Sequence, residues 1–176
     1  LHVCDKNLEQ IEPIKITNTH NLLADVCLAA KFEGESFYKH LENNPDSNYK
    51  PDMCTVLARS FADIGDIIRG KDLYRGNNGK DKLQDNLKEI FKNIYNNLTQ
   101  EAKQTYQDND GNYFQLREDW WEANRKEVWK AITCDAGGSQ YFRKTCGSGE
   151  WTDDNCRCPK GDQVPTYFDY VPQYLR

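Results

Sequence analysis

The chain has 176 residues, of which 38% are hydrophobic and 12% aromatic, enough for one domain with a substantial core. Its formal charge of −5 gives no bulk electrostatic argument for nucleic acid or an anionic membrane as partner. No segment approaches the roughly 20 apolar residues that cross a bilayer. Seven cysteines indicate an oxidising compartment, and their odd number implies either a free thiol or a partner outside the chain.

Apolar residues at helical spacing predict the first two helices. The first begins within Thr17–Asn21 and continues to about Phe32, where Gly34 weakens it. The second is the Met53–Arg69 run, whose three- and four-residue spacing gives one buried face. Gly70 closes it, because glycine adopts the left-handed conformation that ends a helix.

Further helices are predicted in the second half of the chain. Asp81 can cap the third, and its apolar stripe ends at Leu98. A short helix lies within Thr99–Asp108, and a fourth major helix covers about Phe114–Thr133, with its tryptophans in the core. After Cys134, glycines and cysteines predict an irregular, cross-linked region. The predicted fold class is therefore all-α, a disulfide-linked helical bundle with long irregular loops.

The cysteines predict disulfides rather than zinc, because structural zinc usually draws on two closely spaced cysteine pairs and this spacing differs. Cys27 and Cys54 each lie on a predicted core helix, so a bridge between them is the favoured pairing. It would contribute about 3 kcal/mol by the chain-entropy estimate. The last four cysteines allow three mutual connectivities, unless some pair beyond Arg176. The cysteines predicted to form disulfides are Cys4, Cys27, Cys54, Cys134, Cys146, Cys156 and Cys158.

Motifs for catalysis or cofactor binding are incomplete, so no enzyme, metal site or cofactor is predicted. Gly76–Lys80 lacks the spacing of a phosphate loop, and the segment beginning Asp108–Asn112 lacks the final acidic residue of a calcium loop. His20 and Cys27 could share a helix face as the base and the thiol that a cysteine protease needs, although helix packing explains Cys27 better. Asn97-Leu98-Thr99 matches the N-glycosylation pattern.

Basic side chains are the candidate binding groups, because ammonium and guanidinium groups pair with sulfate on glycans. An ordinary solvated surface is the alternative interpretation of each cluster. Arg143, Lys144, Arg157 and Lys160 fall in the cysteine-rich region. The residues predicted to contact a sulfated glycan are Lys80, Lys82, Arg125, Lys126 and Lys130.

Several blocks of sequence, taken in order, resemble the Duffy-binding-like alpha domain of the variant erythrocyte membrane protein family of malaria parasites (Plasmodium falciparum). Cys54–Gly70 and the C-terminal Pro165–Arg176 are the most recognisable. The other matching blocks are Leu1–Asp5, Val26–Gly34, Lys71–Leu73, Leu116–Trp121, Ala131–Cys134, Tyr141–Arg143 and Cys156–Cys158. The resemblance covers nearly the whole chain and implies a helical fold cross-linked by disulfides.

The resemblance also implies a function. Residues 1–176 would be a partial domain, truncated at both ends, with the end of the first subdomain and much of the second. Such domains lie on the extracellular face of the infected red cell and act in rosetting or cytoadhesion. Their expected partners are antibodies and a host receptor, which would be heparan sulfate, a blood-group sugar or complement receptor. Contact with the membrane is expected only through the parent protein. The alternative is a scaffold segment, with binding done by neighbouring domains.

Overall fold

The computed structural model describes residues 18–44, 52–72, 80–161 and 163–176. The helices in these ranges are α1 (Thr19–Glu42), α2 (Met53–Arg69), α3 (Lys80–Asn96), α4 (Gln100–Thr105) and α5 (Phe114–Ile132), followed by 3-10 turns at Phe168–Tyr170 and Gln173–Leu175. The described residues contain two isolated β-bridges and no named strand. The predicted all-α fold class is confirmed, and no helix in these ranges is long and apolar enough to span a bilayer.

α1 is longer than predicted and passes through Gly34 without interruption. The prediction that the helix ends near Phe32 was wrong, because Gly34 allows α1 and α5 to pack closely against each other. It is buried, and a methyl group in its place would collide with the backbone carbonyl of Ile132 on α5. At the other end, the Asn18 side chain accepts a hydrogen bond from the Asn21 N–H at 3.0 Å and caps the helix.

α2 forms at the predicted residues and lies at the centre of the core. Asp52 caps it by accepting from the Cys54 N–H at 3.2 Å, and Gly70 ends it with φ of 73°. Gly65 lets α2 approach α5, since a methyl group there would lie 2.8 Å from the Trp121 indole. The helix is therefore buried by neighbours on more than one side.

Aromatic side chains fill the space between the helices, as predicted for the tryptophans of α5. The Phe61 ring lies 5.1 Å from the Trp121 ring and 5.3 Å from the Trp129 ring, centroid to centroid. Phe91 of α3 packs edge-on against Trp120 at 6.2 Å. These separations are typical of favourable aromatic pairs, so α5 connects α2 and α3 mainly through its indoles.

The disulfides differ from the predicted pairing. Cys54 bonds Cys156, with Cα atoms 5.4 Å apart, and the predicted Cys27–Cys54 bridge is wrong. Cys146 bonds Cys158 at the same Cα separation, whereas Cys27 and Cys134 are free thiols. Helical periodicity places a cysteine on a buried face but does not say which element meets that face. Here the first turn of α2 meets the C-terminal region; the prediction for Cys4 lies outside the described residues.

Candidate receptor-binding surface

The predicted basic residues lie on two helices, α3 and α5. Lys82 is exposed on α3, and Lys126 and Lys130 lie one turn apart on α5, each partly exposed. The Lys130 ammonium pairs weakly with Glu127 at 3.6 Å. The side chain of Lys80 lies outside the described part of the structure. The exposed candidates are therefore one lysine on α3 and a pair on α5.

Arg125 is not an exposed glycan ligand, which corrects the sequence interpretation. Only 12% of its side chain is exposed, and its guanidinium donates to the Asp169 carboxylate at 2.8 and 2.9 Å. A further bond reaches the Thr166 carbonyl at 2.7 Å, and the cation lies 5.0 Å from the Tyr170 ring centroid. Because its donors already have buried partners, Arg125 joins α5 to the C-terminal turn instead of facing solvent.

Asp169 is the common acceptor of this arrangement, and sequence analysis gave it no role. Its side chain is fully buried and also accepts from the Trp121 indole N–H at 2.8 Å. The backbone carbonyl of Asp169 accepts from Arg69 of α2. One residue of the C-terminal turn thus contacts both central helices.

A charged cleft of about 280 Å³ lies beside this turn, with Tyr170 and Tyr174 in its lining. Glu118 accepts from Arg69 at 3.1 Å and from Lys71 at 2.8 Å. Burial alone would raise the pKa of Glu118, but the two cations outweigh it and hold this pKa below its usual range. The two cations and the carboxylate in the lining of the cleft are therefore already paired with one another.

Two cation–aromatic pairs are exposed in the cysteine-rich region, one of Arg143 with Phe142 and one of Lys144 with Trp151. The Arg143 guanidinium lies 5.2 Å from the Phe142 ring centroid, and the Lys144 ammonium lies 5.5 Å from that of Trp151. Sequence analysis noted the two cations but missed the aromatics, because Lys144 meets Trp151 through a turn in which the backbones of Cys146 and Glu150 pair. Each pair combines a positive charge with an exposed aromatic ring.

The calcium-like segment and Cys27 lie within the described residues, whereas Gly76–Gly79 of the segment compared with a phosphate loop lie outside them. Asp108 uses its carboxylate to accept the N–H groups of Asp110 at 2.9 Å and Gly111 at 3.2 Å, which makes the calcium-like segment a closed turn. No group of His, Cys, Asp or Glu in the described ranges could hold a metal ion. Burial, aided by Glu127, raises the pKa of the Cys27 thiol to about 11, so this thiol is a poor nucleophile.

Comparisons with known proteins identify the family. The family model described as Duffy binding domain matches residues 1–176. The chain is similar to the NTS-DBL1(alpha-1) domain of Plasmodium falciparum membrane protein 1 (PfEMP1) from the varO strain, with 44% identity and a TM-score of 0.80. That match covers 99% of this chain and 40% of the solved one. No curated protein matches the chain.

Two further solved structures are similar over 99% of this chain. The NTS-DBL1-alpha and CIDR-gamma double domain of P. falciparum PfEMP1 from the same strain has 43% identity and a TM-score of 0.78, over 25% of its own length. An ICAM-1-binding PfEMP1 DBLbeta domain has 34% identity and a TM-score of 0.73, over 39% of its length. The chain thus spans two-fifths or less of these structures, and it belongs to the Duffy binding domain family.

Proposed function

We propose that this chain is part of the host-receptor-binding region of an adhesin displayed on the infected red cell. The family match along residues 1–176 carries this proposal. The similarity to DBL1-alpha domains of PfEMP1 supports an alpha-class assignment, and one similar solved domain is named for binding ICAM-1. The function is recognition without turnover, in rosetting or cytoadhesion. Residues 1–176 would supply the end of the first subdomain and much of the second.

Exposed lysines are the proposed contacts for a sulfated host glycan such as heparan sulfate. Lys126 and Lys130 lie on the same face of α5, where a rigid helix presents two ammonium groups one turn apart. Lys82 on α3 is a third candidate, and Lys80 remains a candidate from sequence alone. Arg125 is left out, since its guanidinium is held by Asp169. Blood-group sugars and complement receptor stay alternative partners.

A scaffold role is the second candidate function. The chain spans 40% of the DBL1(alpha-1) structure, so the receptor surface could lie in the part of such a domain that this chain does not cover. This partial coverage favours the scaffold role. The three inward-facing arginines Arg69, Arg117 and Arg125 also support it, because their charges connect elements of the fold. The two functions differ in whether this chain binds cells by itself.

Binding of the oxidised chain to red cells, with and without soluble heparin, tests the proposal. Charge reversal of Lys126 and Lys130 to Glu should reduce heparin-sensitive binding, because two cations that face sulfate groups are lost. The matched control reverses Lys31 and Lys39, two exposed lysines on α1, and should bind like the native chain. A folded chain that binds no cells would reject the binding proposal and favour the scaffold.

A further inference from the structure

Met53 is the single methionine of the chain and the first residue of α2. Its side chain is partly exposed to solvent and also packs against the described core. The thioether sulfur is the atom of methionine that peroxides oxidise, and the product is a polar sulfoxide that disrupts apolar packing. The sulfur of Met53 is therefore within reach of a small oxidant while the chain is folded.

The Met53 sulfur accepts from a hydroxyl that also contacts a third segment. The Tyr38 hydroxyl, on α1, donates to Met53 Sδ at 2.6 Å and accepts the Gly137 N–H, in the loop after α5, at 2.9 Å. Burial raises the pKa of this hydroxyl, so it keeps the proton that it donates to the sulfur at neutral pH. One phenol thus connects α1, the start of α2 and the loop that follows α5.

The start of α2 has two further links to the cysteine-rich region. The Ser139 hydroxyl donates to the Asp52 carboxylate at 3.1 Å, and Cys54 bonds Cys156. Both links join α2 to that region, whereas the Tyr38 hydroxyl comes from α1. A chemical change at the Met53 sulfur would therefore act on α1 and the loop after α5 and leave the disulfide in place.

We propose that Met53 is a site of reversible oxidation that releases α1 from the loop after α5. In this reaction the O–O bond of a peroxide breaks, an S–O bond forms, the sulfur loses two electrons, and hydrogen peroxide leaves as water. The oxygen adds to a lone pair of the atom to which the Tyr38 hydroxyl donates, so the hydroxyl is displaced and its contact with the Gly137 N–H is lost. Methionine sulfoxide reductases restore the thioether. The inference concerns the fold itself and holds whether or not the chain binds red cells.

Treatment of the disulfide-bonded chain with hydrogen peroxide tests the proposal. We expect mass spectrometry to find one added oxygen at Met53 of the folded chain, and Tm to fall by roughly 2–6 °C through loss of about one hydrogen bond. Methionine sulfoxide reductase should restore the native Tm. Hydrogen exchange at the Gly137 N–H should accelerate, whereas the Thr133 N–H, which donates to the Trp129 carbonyl at 3.0 Å, should keep its rate.

Two variants make the test specific. Met53→Leu keeps an apolar side chain of similar volume without the sulfur, so peroxide should leave its Tm unchanged. It retains the free thiols Cys27 and Cys134, and an equal fall in its Tm would assign the effect to them and overturn the inference. Tyr38→Phe removes the hydroxyl, so oxidation should lower its Tm by less than in the native chain. An equal fall there, or a Met53 that gains oxygen only after unfolding, would also overturn the inference.

Discussion

Removing the Asp169 carboxylate tests whether the C-terminal turn is fixed to the helices by charge. In the Asp169→Ala variant, Arg125 loses two charge-assisted hydrogen bonds of 2.8 and 2.9 Å, and the Trp121 indole loses one of 2.8 Å. The Arg125 side chain is only 12% exposed, so its charge would remain largely buried without a carboxylate. Breaking such a pair typically costs about 3–5 kcal/mol.

The assay is reversible urea unfolding with the disulfides intact, monitored by tryptophan fluorescence, which gives the free energy of unfolding. For a chain of 176 residues, the expected loss of unfolding free energy corresponds to a fall in Tm of roughly 6–20 °C in thermal unfolding. Asp169→Asn keeps an acceptor for the Trp121 N–H, so it should cost less than Asp169→Ala, although the Arg125 charge again lacks its carboxylate. A shift below about 1 kcal/mol for Asp169→Ala would refute the idea that this contact holds the turn.

A double variant separates the charge from the packing. Arg125→Met with Asp169→Leu removes both ions and leaves no buried charge without a partner. We expect it to be more stable than Asp169→Ala, and the coupling between the two sites to be measurable in a double-mutant cycle. Additive losses would show that Arg125 and Asp169 act independently.

Three other predictions concern stability. Gly34→Ala should destabilise the chain by about 1–3 kcal/mol in urea unfolding, because its methyl group meets the Ile132 carbonyl; an unchanged midpoint would contradict the close approach. Replacing Cys54 and Cys156 by Ala opens a loop of 102 residues and should cost about 4–5 kcal/mol, whereas a loss near zero would argue against that bond. Burial, opposed by a cation, raises the pKa of Asp63 to about 6, above its unfolded value of 3.8, so this carboxyl lowers stability as pH rises from about 4 to 7. Asp63→Asn should therefore gain stability over the native chain across that window, and equal pH profiles of the two proteins would refute this.

The helices could be predicted because their signals are local. The α2 boundaries follow from an apolar period, an Asp before the first turn and a Gly after the last, all within one segment. The end of α1 was mispredicted for the opposite reason: Gly34 weakens an isolated helix, but contact with Ile132 of a distant helix outweighs that preference. Local propensity decides a boundary only where no tertiary contact competes with it.

The candidate site was less predictable than the fold. Arg125 lies beside Lys126 in the sequence, and nothing local distinguishes a guanidinium that faces solvent from one that binds a buried carboxylate 44 residues later. The pairing of Lys144 with Trp151 likewise depends on a turn in which the backbones of Cys146 and Glu150 pair. Surface chemistry of this kind is set by contacts between segments.

By itself, the sequence determined the helical character of the chain, its disulfide chemistry and the family it resembles, because periodicity, composition and ordered motifs are properties of the linear chain. Only the tertiary structure decided which cysteines bond, which arginines are buried and which aromatics remain exposed. Each of these depends on the distance between residues far apart in sequence: Cys54 reaches Cys156, and Arg125 reaches Asp169, only after the helices have packed.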